Sequence, residues 1–79
     1  MMTYDEYFNA VADKLEKLLA RQNGINGRQD VVKYMKSEED CIKSKYKINK
    51  KDYDDGKFPA SVWEGCVNSV AYCLYMLYE

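Results

Sequence analysis

Two stretches of this chain carry apolar residues at three- and four-residue steps, and that spacing commits most of the sequence to helix. In the first, Tyr4, Tyr7, Phe8, Val11, Leu15, Leu18 and Leu19 fall within one arc of a helical projection, with Asn9, Asp13, Glu16 and Ala20 opposite. Thr3-Tyr4-Asp5-Glu6 ahead of it has the form of a capping box, in which the Thr hydroxyl and the Glu carboxylate satisfy orphan backbone donors. Asn23-Gly24 behind it is a left-handed stop, so the pattern predicts a helix over 3–22. In the second stretch, Trp63, Cys66, Val67, Val70, Leu74 and Leu77 make a continuous stripe. Pro59 suits a first helical position and Ser61 is a second candidate cap, so this helix is expected over 59–78.

The middle of the chain is less regular. Asn26 with Gln29 three residues on reads as a cap for a helix over 28–36 that uses Val31, Val32, Tyr34 and Met35. Ser37-Glu38-Glu39-Asp40 reads as a fresh cap and acidic first turn for a helix over 38–47, with Cys41, Ile42, Lys45 and Tyr46 at helical steps. These two helices are broken at Ser37 or run on as one; the pattern fits both. Tyr46-Lys47-Ile48-Asn49-Lys50 alternates like a strand and Asp55-Gly56 is a turn dipeptide, so an irregular loop or a minor hairpin is expected around 48–58. The fold expected is all-α, a small bundle of three to four helices. With 79 residues and no internal repeat, residues 1–79 make a single domain.

What the sequence lacks narrows the chemistry. It contains no histidine, which excludes Ser-His-Asp and Cys-His nucleophile systems, His-containing zinc sites and imidazole proton relays. Cys41, Cys66 and Cys73 have no C-x-x-C spacing, cannot all pair, and are expected as small buried hydrophobes in a reducing cytoplasm, with no metal bound. Asp52-Tyr53-Asp54-Asp55-Gly56 fails as a calcium loop in both registers: with Gly56 sixth, Lys51 and Val62 fall on ligand positions, and with Asp52 first, Trp63 falls on the twelfth. Ser44-Lys45-Tyr46-Lys47 matches S-x-x-K without the supporting motifs of that chemistry. Gly24, Gly27, Gly56 and Gly65 form no phosphate-binding loop. Neither catalysis nor a cofactor is expected. No apolar run reaches the roughly 20 residues of a membrane span, and Met1–Glu6 has no basic-then-apolar leader pattern, so a cytoplasmic protein is expected.

Charge is unevenly distributed behind a net −1. Residues 28–51 carry eight basic and four acidic side chains, +4, and residues 52–79 carry one basic and five acidic, −4. The basic run Lys43, Lys45, Lys47, Lys50 and Lys51, with Tyr46 among them, could grip phosphates and stack a base, which gives a nucleic-acid-binding alternative. Asp52, Asp54 and Asp55 could face a basic groove on a protein target. The last helix adds a third feature. Its outer face opens with Ser61, Glu64, Gly65 and Asn68 but closes with Tyr72, Tyr75 and Met76, where polar residues are expected on a helix with one solvated side. Tyr and Met are favoured in interface cores, so these three are candidate contacts with a protein partner or with a second copy in a homo-oligomer. A tyrosine-lined pocket acting as a small-ligand sponge is the remaining alternative.

In composition alone (short, Lys/Asp/Tyr-rich, without an enzyme signature) the chain is similar to small phage or mobile-element accessory proteins, including inhibitors of bacterial defence systems. That resemblance implies a non-catalytic protein–protein interaction module that binds and occludes a target.

Overall fold

The computed structural model describes residues 2–22, 24–57, 59 and 61–78; Asn23, Phe58 and Ala60, which belong to the expected stop and connection, lie outside them. Four helices form among the described residues, α1 (Tyr4–Leu18), α2 (Arg28–Ser37), α3 (Glu39–Asp54) and α4 (Val62–Leu77), and no strand. The all-α bundle is therefore the fold.

The capping box at the start of α1 is complete. Thr3 Oγ accepts from the Glu6 N–H at 3.2 Å, and the Thr3 N–H donates to Glu6 Oε1 at 2.9 Å. α1 ends at Leu18 rather than near 22, because Leu19 is the last residue with a core to enter. Leu19 is fully buried, whereas Ala20, Arg21 and Gln22 are exposed, and a three-residue turn from Gln22 N–H to Leu19 O replaces the helix there. Gly24 then takes the left-handed conformation, at φ +89.

α2 is capped at Gly27 instead of Asn26, and the side chain that helps is Asp30 instead of Gln29: its Oδ2 accepts from the Asn26 N–H at 2.8 Å. Arg28 bonds back to Asp13 and Glu16 on α1, and Lys36 lies over the Phe8 ring at 5.3 Å, so α2 runs antiparallel to α1. Ser37 is the last residue of α2, with its hydroxyl donating to Tyr34 O at 2.6 Å, and caps nothing after it. Helices α2 and α3 are separate, broken at Glu38, which leaves helical geometry at φ −112 and ψ 20.

The largest departure lies in α3, which continues through 48–54 where a loop or hairpin is expected. Ile42, Tyr46, Asn49 and Tyr53 follow one another at steps of four, three and four, and all four face inward. Ile48, which makes the stretch look like a strand, is 58% exposed. Pairs at i,i+4, Lys50–Asp54 at 2.8 Å and Lys51–Asp55 at 3.0 Å, brace the last turns. Asp55-Gly56 ends α3 in a Schellman motif: the Gly56 N–H reaches Tyr53 O, the Lys57 N–H reaches Asp52 O, and Gly56 sits at φ +76.

α4 starts at Val62, preceded by a turn in which Pro59 O accepts from the Val62 N–H at 3.0 Å. Ser61 occupies the N-cap position without a side-chain hydrogen bond. Tyr7 meets Trp63 at 6.0 Å between centroids and Lys14 meets Tyr72 at 5.5 Å, so α4 runs alongside α1 in the same direction. The core lies between them. Tyr7, Val11, Ala12, Leu15 and Leu19 face Trp63, Val67, Val70, Ala71 and Leu74, and Val31, Met35 and Ile42 close it from α2 and α3. Leu77, placed on the core stripe by its spacing, is instead 55% exposed.

Candidate functional site

Eight tyrosines in 79 residues call for an account; Tyr7 is buried, and six more are half-buried against the core. Tyr46 packs edge-on against Tyr4 at 5.5 Å and Tyr7 at 5.2 Å, and it lies 5.8 Å from Trp63, as does Tyr53. Their hydroxyls are used. Tyr46 donates to Met2 O at 2.8 Å, Tyr4 donates to Glu39 Oε2 at 3.2 Å, and the Tyr7 hydroxyl accepts from Asn49 Nδ2 at 3.2 Å. Burial pushes the Tyr7 phenol up to about 12; burial and then the Glu39 carboxylate do the same to Tyr4. Both remain protonated donors or acceptors inside the fold. At the other end, Tyr34 donates to Leu74 O at 2.7 Å and stands edge-on to Tyr78 at 5.1 Å.

α4 is different in kind from the other helices. Glu64 is the single charged residue among its sixteen. On a projection at 100° per residue, Trp63, Val67, Val70, Ala71 and Leu74 occupy the core side, and the opposite side holds Gly65, Ser69, Tyr72, Cys73 and Met76. Past Glu64, from Gly65 to Leu77, that outer side has no charge. Met76 is 78% exposed and Tyr72 49%, with exposed Leu77 and Cys73 beside them. Tyr75, grouped with Tyr72 and Met76 from the sequence, is half-buried and packs on the core instead. Leu77 and Ile48 take its place on the exposed surface. Spacing alone places Leu77 on the core stripe; its exposure comes from lying beyond Leu74, the last buried residue of α4.

The structure does not bring the acidic residues to this face. Asp54 and Asp55 pair with Lys50 and Lys51, and Asp52 stands 3.7 Å from Lys57. They lie at the end of α3, where Tyr53 meets Trp63. Met76 is thirteen residues further along α4, about 20 Å at 1.5 Å per residue. The basic run is dispersed as well. Lys43 and Lys47 share one side of α3 while Lys45 projects about 200° away from Lys43. Lys50 and Lys51 are committed to aspartates, and the Tyr46 ring and hydroxyl are both engaged in the interior.

Between α3 and α4 runs a groove of about 300 Å³ bordered by Lys45, Ile48, Val62, Gly65, Cys66 and Ser69. Burial raises the Cys66 thiol, with Asp52 adding to it, so the group at the groove floor is a protonated thiol. Tyr34 and Tyr78 border another surface hollow of about 300 Å³, together with Gly24 and Lys33. Among the described residues, no three Cys, Asp or Glu side chains are placed to hold a metal ion, and no helix is long and apolar enough to cross a membrane. Compared with protein-family models, with curated proteins and with solved structures, the chain matches none.

Proposed function

We propose that this protein is a non-catalytic binding module that engages a protein partner through the outer face of α4. The observation that carries the reading is the uncharged surface from Gly65 to Leu77, with Tyr72, Met76 and Leu77 held outward on a helix whose inner side is locked into the core. Aromatic and Met side chains on a rigid element are the composition of interface cores, and exposing them to water without a partner carries a cost. On this reading the compositional likeness to small phage and mobile-element inhibitors gives the consequence of binding, occlusion of a working surface on the target. Nucleic acid has less support, since the aromatic ring within the lysine run is turned inward.

The test is site-specific photo-cross-linking in cells that express the protein. A photoreactive residue in place of Tyr72 or Met76 is expected to yield a discrete protein adduct, and one at exposed Lys33 on α2 none. Tyr72→Ser combined with a probe at position 76 should abolish the adduct while stability stays within about 0.5 kcal/mol of the parent. Adducts of equal yield from positions 33 and 72, or none from α4, refute the proposal.

A further inference from the structure

We infer that the α4 face takes an acidic amphipathic helix of the partner protein, an inference that rests on the binding reading above. Shape gives the first half of the argument. Gly65, Ser69 and Cys73 follow one another at four-residue steps, forming a low row along the outer face. On one side of it rises the row Asn68, Tyr72 and Met76; on the other stand Ile48 and Lys45 of α3. A furrow between two ridges, open along α4 for roughly 12 Å from Gly65 to Cys73 and ending at Leu77, is the relief into which a ridge of another helix packs. A Cβ on Gly65 would meet nothing within 4 Å, so the furrow is open there.

Charge gives the second half. From Gly65 to Leu77 the face has no charged side chain, Glu64 stands at its start, and a lysine stands at each border. Lys14 of α1 lies over the Tyr72 ring at 5.5 Å, and Lys45 of α3 lines the groove beside Ile48. Neither makes an ion pair among the described residues, so both ammonium groups are open to a carboxylate of an occupant. An occupant with an apolar stripe and acidic residues on both shoulders matches this pattern. A second copy of the chain does not. In an isologous pair each α4 face meets its own image, which offers one carboxylate, Glu64 at its start, in place of acidic residues along both shoulders.

The experiment uses the intact protein and three synthetic helical peptides of about 18 residues sharing one Leu/Ile stripe. One has Glu shoulders, one has Lys shoulders, and one has the Glu peptide's composition with the stripe scrambled. Titration is followed by fluorescence anisotropy and by backbone amide shifts. The Glu peptide is expected to bind at least roughly tenfold more tightly than the Lys peptide at about 50 mM salt, the gap narrowing above about 300 mM. Shifts should map to α4, Lys14 and Lys45, and the scrambled peptide should not bind. The K14E/K45E variant should reverse the preference; because Lys14 rests on Tyr72, Lys45→Glu alone provides the same reading from an exposed position. Equal binding of Glu and Lys peptides, abolished by Tyr72→Ser, overturns the acidic partner and leaves the α4 reading standing. Absence of binding by any peptide, or concentration-dependent cross-links between the α4 helices of two copies, overturns the inference, and the photo-cross-linking result then decides separately whether the face itself is wrong.

Discussion

Tyr34→Phe tests how the exposed end of α4 is held. The last four carbonyls of any helix have no donor within it. In α4 these belong to Leu74 through Leu77, and the usual remedies are absent. The last turn has no basic side chain, and Tyr78 leaves in an extended conformation at φ −71, with no glycine to close a Schellman turn. The Tyr78 N–H serves Tyr75 O at 3.3 Å, and the Leu74 carbonyl is served from 40 residues away by the Tyr34 hydroxyl at 2.7 Å. Phenylalanine keeps the ring and its edge contact with Tyr78 while deleting this single bond. A net hydrogen bond is worth about 0.5–1.5 kcal/mol, and one that leaves an acceptor stranded beside the core costs more, so Tyr34→Phe should destabilise by about 1–2 kcal/mol. For a domain of this size that is a fall in Tm of very roughly 4–15 °C. Thermal and urea unfolding followed by circular dichroism would give the value, with the m-value unchanged. Tyr46→Phe is the internal control, because its hydroxyl serves Met2 O in the arm before α1, a segment that can rehydrate, and its cost should stay below about 1 kcal/mol. If Tyr34→Phe lies within about 0.3 kcal/mol of the parent, water caps the helix as well as the phenol does and the reasoning fails.

Further outcomes follow from the backbone and from the buried phenols. Gly56→Ala should cost about 1 kcal/mol although there is open space for the methyl, because φ is +76, whereas Gly65→Ala, exposed at the end of the first turn of α4, should stabilise by about 0.5–1 kcal/mol; urea midpoints that shift the same way for both would contradict this. Tyr4 and Tyr7 hold their protons to about 12 in the fold, while an unfolded chain loses them near 10. Across that window the unfolded state binds fewer protons, so the stability these phenols contribute is complete below about pH 10 and falls as pH rises towards 12. A urea midpoint that stays flat from about pH 9 to about pH 11.5 would show that the two phenols titrate alike in both states.

Periodicity made α1 and the core side of α4 legible, because both bury one stripe and nothing else competes. α3 was harder to read for a physical reason. Two of its four inward positions, Tyr46 and Asn49, carry polar atoms that become acceptable inside only by meeting Met2 O and the Tyr7 hydroxyl, partners more than 40 residues away in sequence. A scale that scores residues singly cannot register such pairing, and exposed Ile48 then looks like the apolar one. The same holds for the tyrosines, which resemble an interface population by count, although seven of the eight lie in or pack against the core and four of those bond through their hydroxyls. Of the candidate face, Tyr72 and Met76 were readable from α4 alone. Leu77 and Ile48 were not, since their exposure depends on where α1 and α3 stop covering α4. The aspartates at 52, 54 and 55 read as a patch only when the lysines four residues before two of them are ignored.

The pairing of α1 with α4 has a kinetic consequence. The first and last helices form the main seam of the core, so the contact between Tyr7 and Trp63 spans most of the chain. Helical bundles usually fold fast because their contacts are local, and closing a loop of this length first adds an entropic barrier that such bundles avoid. On a ribosome adding about 5–20 residues per second, α1 through α3 wait seconds for Val67, Val70 and Leu74 to emerge. During that interval Val11 and Leu15 lack the α4 side of their cover. Synthesis of the final helix and burial of the first are thus one event, and nascent chains stalled before Trp63 should be protease-sensitive throughout.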